Sequence, residues 1–200
     1  MKVIYNIPHE LHNIEIPIEP IVIHVNDFTE EAAKEFSEQM SLAHNTGQTV
    51  IPIVIDSFGG LIYSLMSMIG DINAAELPVA TIVKGKAMSC GAILATFGKK
   101  GMRYADPDAT FMIHEVSLGA FGKMEEVAAS AEEGRRLNEK VLKMMARNCG
   151  QDESYFIDQI HDRKHADWFL DAEEAKNIGV INHMRLPKMQ IDMNIKWSFK

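Results

Sequence analysis

The stretch Ala87-Met88-Ser89-Cys90-Gly91 sets a hydroxyl beside a thiol among small and apolar residues. Either side chain could attack a carbonyl carbon, and the same residues could also be a helix start packed into a core. A serine hydroxyl is a weak nucleophile until a neighbouring base takes its proton, whereas a thiol reacts where its pKa has been lowered. Nothing but a helix end is at hand to acidify Cys90, so the chemistry turns on whether a base reaches Ser89. The apolar run "PVATIVKG" precedes this stretch and a short helix to Phe97 follows it. Such a strand-to-helix turn exposes its side chain at the carboxyl edge of a sheet. The helix start directs free N–H groups at any anion formed there.

His114 is the strongest candidate for the base, because it ends the short strand "TFMIH" and so arrives at the same sheet edge. His9, His12 and His44 lie in polar or terminal segments, and His24 is inside an early strand. His161 and His165 could share a helix face and, with Asp162 and Asp167, suggest a metal. Two histidines four apart without a third convincing ligand are more often surface polar residues. A serine–histidine pair also wants a carboxylate to fix the imidazole tautomer. Asp158, Asp162, Asp167 and Asp171 all fall in one region, and spacing does not choose among them. Asp171 reads as a helix cap, while Asp167 has the apolar "WFL" after it as shelter. Gly59-Gly60, at the end of "TVIPIVID", can turn a backbone N–H toward a ligand. The N–H groups of Gly60 and Cys90 would together make an oxyanion hole. A plain strand-to-helix turn is the ordinary alternative for such a glycine pair.

The elements that must position these groups alternate. Residues 18–25 read as a strand, and residues 29–47 as an amphipathic helix with Ala33, Phe36, Met40 and Ala43 on one face and Gly47 closing it. Residues 49–56 are almost continuously apolar and β-branched, as in a strand buried on both faces. A helix with Leu61, Leu65, Ile69 and Ile72 on one stripe follows, then the strand leading to Ser89. "MRYAD" and "TFMIH" flank the turn "DPDA". Strand and helix in alternation imply an α/β fold with a parallel sheet. From Lys123 to Asn148 the pattern is one long helix, acidic in its first half and basic in its second, matched to the helix dipole and ended by Gly150. "DESYFIDQI" is a shorter helix. "DAEEAKNIG" is another, with Asp171 as cap, Glu174 completing a capping box and Gly179 as terminator. "VINHM" is a last strand, and the tail from 186 carries a weak strand pattern.

Two hundred residues at 46% hydrophobic and 24% charged suit a single globular domain. A net charge of −8 argues against a general nucleic-acid binder. No run approaches the ~18 apolar residues of a membrane span, and the first residues lack a secretory apolar core. Cys90 and Cys149 form no CxxC pair, so the expectation is a reducing cytoplasm with no zinc site and no disulfide framework.

Taken together, "SFGG" (57–60), "MSCGA" (88–92), "FMIHE" (111–115) and "DWFLDAEEAKNIGVIN" (167–182) resemble, in order, the motifs of the ClpP family of serine peptidases. Phe58 stands where the family has proline and Cys90 where it has methionine. The resemblance implies Ser89 as nucleophile, His114 as general base, Asp167 as its orienter, and Gly60 and Cys90 as oxyanion donors. It implies a ClpP/crotonase-like fold of repeated ββα units in one domain over 1–200. Residues 1–17 would be an N-terminal segment, 18–122 and 163–185 the head, 123–162 a protruding handle, and 186–200 a tail. It further implies a subunit without cofactor in stacked heptameric rings, taking unfolded polypeptide from an AAA+ unfoldase of the Clp type that alone uses ATP. The handle would join the two rings, the glycine-rich "SLGAFG" would offer an edge to a peptide, and Met124 or the 61–72 helix would wall an apolar pocket. Other classes on the same fold are a non-catalytic ring subunit and a crotonase-type acyl-CoA enzyme.

Overall fold

The computed structural model describes residues 19–188; the expectations for 1–17, and for the tail beyond 188, lie outside them. Apolar β-branched runs make the central strands. Strand β1 (Ile23–Val25), β2 (Ile51–Ser57), β3 (Val79–Met88), β4 (Arg103–Ala105) and β7 (His183–Met184) lie side by side, all parallel. Between them run helices α1 (Glu30–Ala43), α2 (Ile62–Ala74) and α3 (Cys90–Ala95). The core is continuous from Ile23 to Ile181, with Ile51, Ile53 and Ile55 of β2 wholly buried.

Strand β1 is shorter than the sequence pattern implies. The Gln48 side chain takes its place at Ile21, accepting from the Ile21 N–H at 2.9 Å and donating to its carbonyl at 3.2 Å. Helix α1 buries the expected Ala33, Phe36, Met40 and Ala43, and Thr29 caps it by accepting from the Ala32 N–H. The helix stops at Ala43, and Gly47 serves the turn beyond it with φ of 78°. In α2, Leu65, Ile69 and Ile72 are buried, but Leu61 is the exposed residue before the first turn and leaves the stripe.

The ten-residue strand β3 has two sets of neighbours. Thr81, Ile82 and Val83 pair with β4, whereas Lys86, Ala87 and Met88 pair with β5 (Thr110–Ile113). Strand β5 in turn pairs antiparallel with β6 (Trp168–Leu170), a strand too short to announce itself in the sequence. This fork brings the end of β3, the end of β5 and the start of β6 to one place.

Helix α4 (Met124–Cys149) runs 26 residues, roughly 39 Å at 1.5 Å per residue, and Gly150 closes it in the left-handed conformation. Its buried residues begin at Gly134, so residues 124–132 project away from the core. Helix α5 (Tyr155–Asp162) packs back on α4 through Phe156 and Ile160. Helix α6 (Ala172–Asn177) has the expected capping box, the Asp171 carboxylate accepting from the Glu174 N–H at 2.8 Å. Arg103 is buried with its charge. It donates through Nη1 to the Asn148 carbonyl (3.0 Å) and the Thr96 carbonyl (3.4 Å), and through Nε to Asn182 Oδ1 (3.2 Å). Two of these acceptors are carbonyls at helix ends, where the dipole is negative.

Candidate active site

Ser89 lies between the last residue of β3 and the first of α3. Its N–H donates to the Met112 carbonyl of β5 (2.8 Å), and its carbonyl accepts from the Ile93 N–H (3.2 Å). Held by a sheet on one side and a helix on the other, it takes φ of 54° and ψ of −120°, a backbone state disfavoured for any residue with a Cβ. The surroundings enforce it. A Cβ on Gly59 would stand 2.7 Å from Ser89 Cβ and 3.2 Å from its Oγ, so the neighbouring turn has room only for glycine. Ala87, Gly91 and Ala92 are buried beneath the turn and pack it from inside.

His114 follows the last residue of β5, and its Nε2 is 2.8 Å from Ser89 Oγ. The antiparallel register explains the third group. Phe111 faces Leu170, Met112 faces Phe169 and Ile113 faces Trp168, so the next step sets His114 opposite Asp167. His114 Nδ1 and Asp167 Oδ1 are 3.8 Å apart, beyond hydrogen-bond reach, and the Asp167 side chain is 52% exposed. The shelter expected from "WFL" is absent, because Trp168 and Leu170 turn inward while Asp167 and Phe169 face out. Of the other acidic candidates, Asp171 is occupied as the α6 cap, and Asp158 and Asp162 belong to α5.

The Gly59-Gly60 turn is fixed by three contacts. Gly59 N–H donates to Ser57 Oγ (3.1 Å), Leu61 N–H donates to the Phe28 carbonyl (2.7 Å), and Cys90 Sγ donates to the Gly60 carbonyl (3.3 Å). None of them uses the Gly60 N–H. Cys90 thus ties the two expected oxyanion residues together through its side chain. Burial pushes its thiol pKa up, the reverse of what a thiolate nucleophile needs.

A model of the Clp protease family matches residues 15–186. The chain belongs to the Clp protease family. It is a ClpP-like peptidase in kind, and its mixed α/β architecture on a parallel sheet is the ClpP-like fold. The match spans all four sequence motifs and reaches back into β1 and α1, which the motif resemblance did not cover.

In this Clp protease a cavity of about 930 Å³ opens beside Ser89 and His114. Its apolar wall is Leu61, Ile62, Ile93, Met112, Val116 and Val141, with Ser64 and Tyr63 among the polar groups. Helix α2 therefore contributes as expected, but Met124 does not; it is almost fully exposed on the projecting part of α4. Leu61, misplaced by the stripe reading, is one of the walls. Residues 115–122, including "SLGAFG", form no regular strand, though Leu118 lines the same cavity. His44 is structural: it accepts from the Glu76 N–H at Nε2 and meets the Met40 carbonyl through Nδ1. His161 and His165 gather with Glu115 rather than with Asp162 or Asp167. Among the described residues no helix is long and apolar enough to cross a membrane.

Proposed function

We propose that this Clp protease is a serine endopeptidase with Ser89 as nucleophile, His114 as general base and Asp167 as the group that orients the imidazole. The observation that carries the reading is the 2.8 Å contact between Ser89 Oγ and His114 Nε2, made by a serine on a strained strand-to-helix turn. With the Nδ1 proton directed at Asp167, Nε2 is free to accept the Ser89 proton as Oγ attacks the peptide carbonyl. The tetrahedral oxyanion is met by the N–H groups of Gly60 and Cys90. His114 then gives its proton to the leaving amine, and water, deprotonated by the same imidazole, releases the acid product and restores Ser89. The apolar wall from Leu61 to Val141 accepts a hydrophobic side chain next to the cleaved bond.

The 3.8 Å gap between His114 and Asp167 fits a subunit whose orienting carboxylate is drawn in on assembly. Exposed Leu118 and Phe121 in the loop before α4, with Met124 and Val127 in its first turn, offer an apolar surface for a second copy. In this reading the chain works in stacked rings, most simply two heptamers, fed with unfolded polypeptide by an AAA+ unfoldase that supplies all ATP turnover. The subunit itself needs no cofactor, and its compartment is the cytoplasm. The test is labelling by a fluorophosphonate together with native mass on one sample. Wild type labels once per chain, and Ser89→Ala and His114→Ala do not. A folded, assembled wild-type protein that never labels would instead make the chain a non-catalytic ring subunit.

A further inference from the structure

Three side chains beside the candidate active site have no part in the mechanism above. Glu115 follows His114 at the end of β5, His161 is in the last turn of α5, and His165 lies in the turn leading to β6. One carboxylate oxygen and two imidazole nitrogens from these residues lie within 4.8 Å of one another. His165 Nδ1 and Glu115 Oε2 already meet at 2.8 Å, and the two imidazole rings have centroids 4.9 Å apart. The pair of histidines was visible in the sequence without a third ligand. The fold supplies one from 50 residues away in the chain, counted from His165.

The backbone makes the grouping specific. Lys164 and His165 are consecutive non-glycine residues at φ of 56° and 61°. Three hydrogen bonds hold this left-handed turn: Lys164 N–H to the His161 carbonyl, His165 N–H to the Ile160 carbonyl, and Ala166 N–H to the Arg163 carbonyl. The chain is thereby folded back over the end of α5, which brings the His165 ring over His161.

We propose that Glu115, His161 and His165 form a binding site for a borderline divalent first-row ion of the Zn²⁺ type. Two imidazoles and one carboxylate are a donor set that such ions take in tetrahedral sites with one position left for water. Two ligands about 2.1 Å from a tetrahedral ion stand roughly 3.4 Å apart. Exposed His165 and partly exposed Glu115 close the remaining distance by side-chain rotation. Mg²⁺ and Ca²⁺ prefer all-oxygen shells and are excluded by the two nitrogen donors. The ion joins the end of β5 to the turn between α5 and β6. It therefore anchors residues 163–167, the segment that carries Asp167, whether or not Asp167 has the role proposed above.

The experiment uses the full chain, freed of metal and of any histidine tag, titrated with Co²⁺ and followed by its visible d–d absorption. One equivalent of Co²⁺ gives the intense spectrum of a low-coordinate site, and Zn²⁺ displaces it. Glu115→Gln, His161→Asn and His165→Asn each weaken binding by at least about tenfold, since even neighbours of metal ligands have effects of that size. His24→Asn, at an exposed position on β1, leaves binding unchanged. Zn²⁺ slows amide exchange over 163–168 in wild type and not in His161→Asn, a readout independent of peptidase activity. Metal-free melting curves equal to wild type establish that the variants fold. Failure of wild type to bind, retention of Co²⁺ affinity in a folded His161→Asn/His165→Asn double variant, or equal binding of Mg²⁺ overturns the proposal. None of these outcomes touches the assignment of Ser89, which fluorophosphonate labelling tests separately.

Discussion

Gly59→Ala is the sharpest test of how the proposed nucleophile, Ser89, is held. The added Cβ would sit 2.7 Å from Ser89 Cβ, about 0.7 Å inside the 3.4 Å at which ordinary contact begins. It would also stand 3.0 Å from the Met88 carbonyl oxygen, so retreat on that side is blocked by backbone. At φ of 104° alanine is strained as well. The backbone term alone is on the order of 1–2 kcal/mol. Ser89 must then move by several tenths of an ångström from the imidazole it meets at 2.8 Å. Misplacement near 1 Å costs about 10²-fold in rate, so a 10- to 100-fold fall in the fluorophosphonate labelling rate constant is expected. Gly101→Ala separates strain from collision, because Gly101 has φ of 88° and nothing within 4 Å of its missing Cβ. That variant loses about 1 kcal/mol by urea denaturation and labels at the wild-type rate. A Gly59→Ala protein that folds and labels as fast as Gly101→Ala would refute the claim that the turn positions Ser89.

In the proposed triad, Asp167→Asn lowers labelling at least about tenfold less than His114→Ala does, because an orienting group matters less than a base and Asp167 is exposed at 3.8 Å from the imidazole. Equal losses in the assembled protein would mean that Asp167 closes fully onto the ring. Burial raises the Cys90 thiol pKa and pushes that of Cys149 up to about 12, so iodoacetamide at pH 8 leaves both unmodified until urea is added. Because the unfolded Cys149 thiol ionises near 9.0 and the folded one near 12, its stabilising contribution is complete below pH 9 and is lost between 9 and 12. Cys149→Ala should flatten that part of the stability–pH curve, measured by urea midpoints. Arg103→Ala strips donors from the Thr96 and Asn148 carbonyls and from Asn182 Oδ1, a loss of about 3 kcal/mol or more in urea denaturation. A loss under 1 kcal/mol would show that water replaces the guanidinium.

The parts legible in the sequence are those that follow from local pattern. Continuous β-branched runs mark β2 and β3 as doubly covered strands, and the Asp171–Glu174 capping box sets the start of α6. Ser89 and His114 are legible because each ends a strand with a recognisable apolar run. What escapes depends on pairing across the chain. Three residues of β6 are too few to show alternation, yet their register with β5 is what faces Asp167 with His114. The exposure of Asp167 and Leu61 is equally a matter of neighbours: an apolar sequence context shelters a side chain only if it points the same way. Arg103 is hidden for the opposite reason, since nothing local tells that helix-end carbonyls from α3 and α4 converge on it.

Residues 124–132 of α4, about two and a half turns, contact little but solvent. A free helical stretch of that length is marginal in water, and here only its attachment to the buried turns from Leu137 onward nucleates it. A lone chain in dilute solution therefore frays at this end, with amides that exchange far faster than those of residues 137–146. A second copy seated on exposed Phe121, Met124 and Val127, as proposed above, would wind the tip as it binds. Under the ring assembly proposed above, the helical mean-residue ellipticity grows in magnitude with protein concentration, an optical gauge of association that reports before any bond is cut.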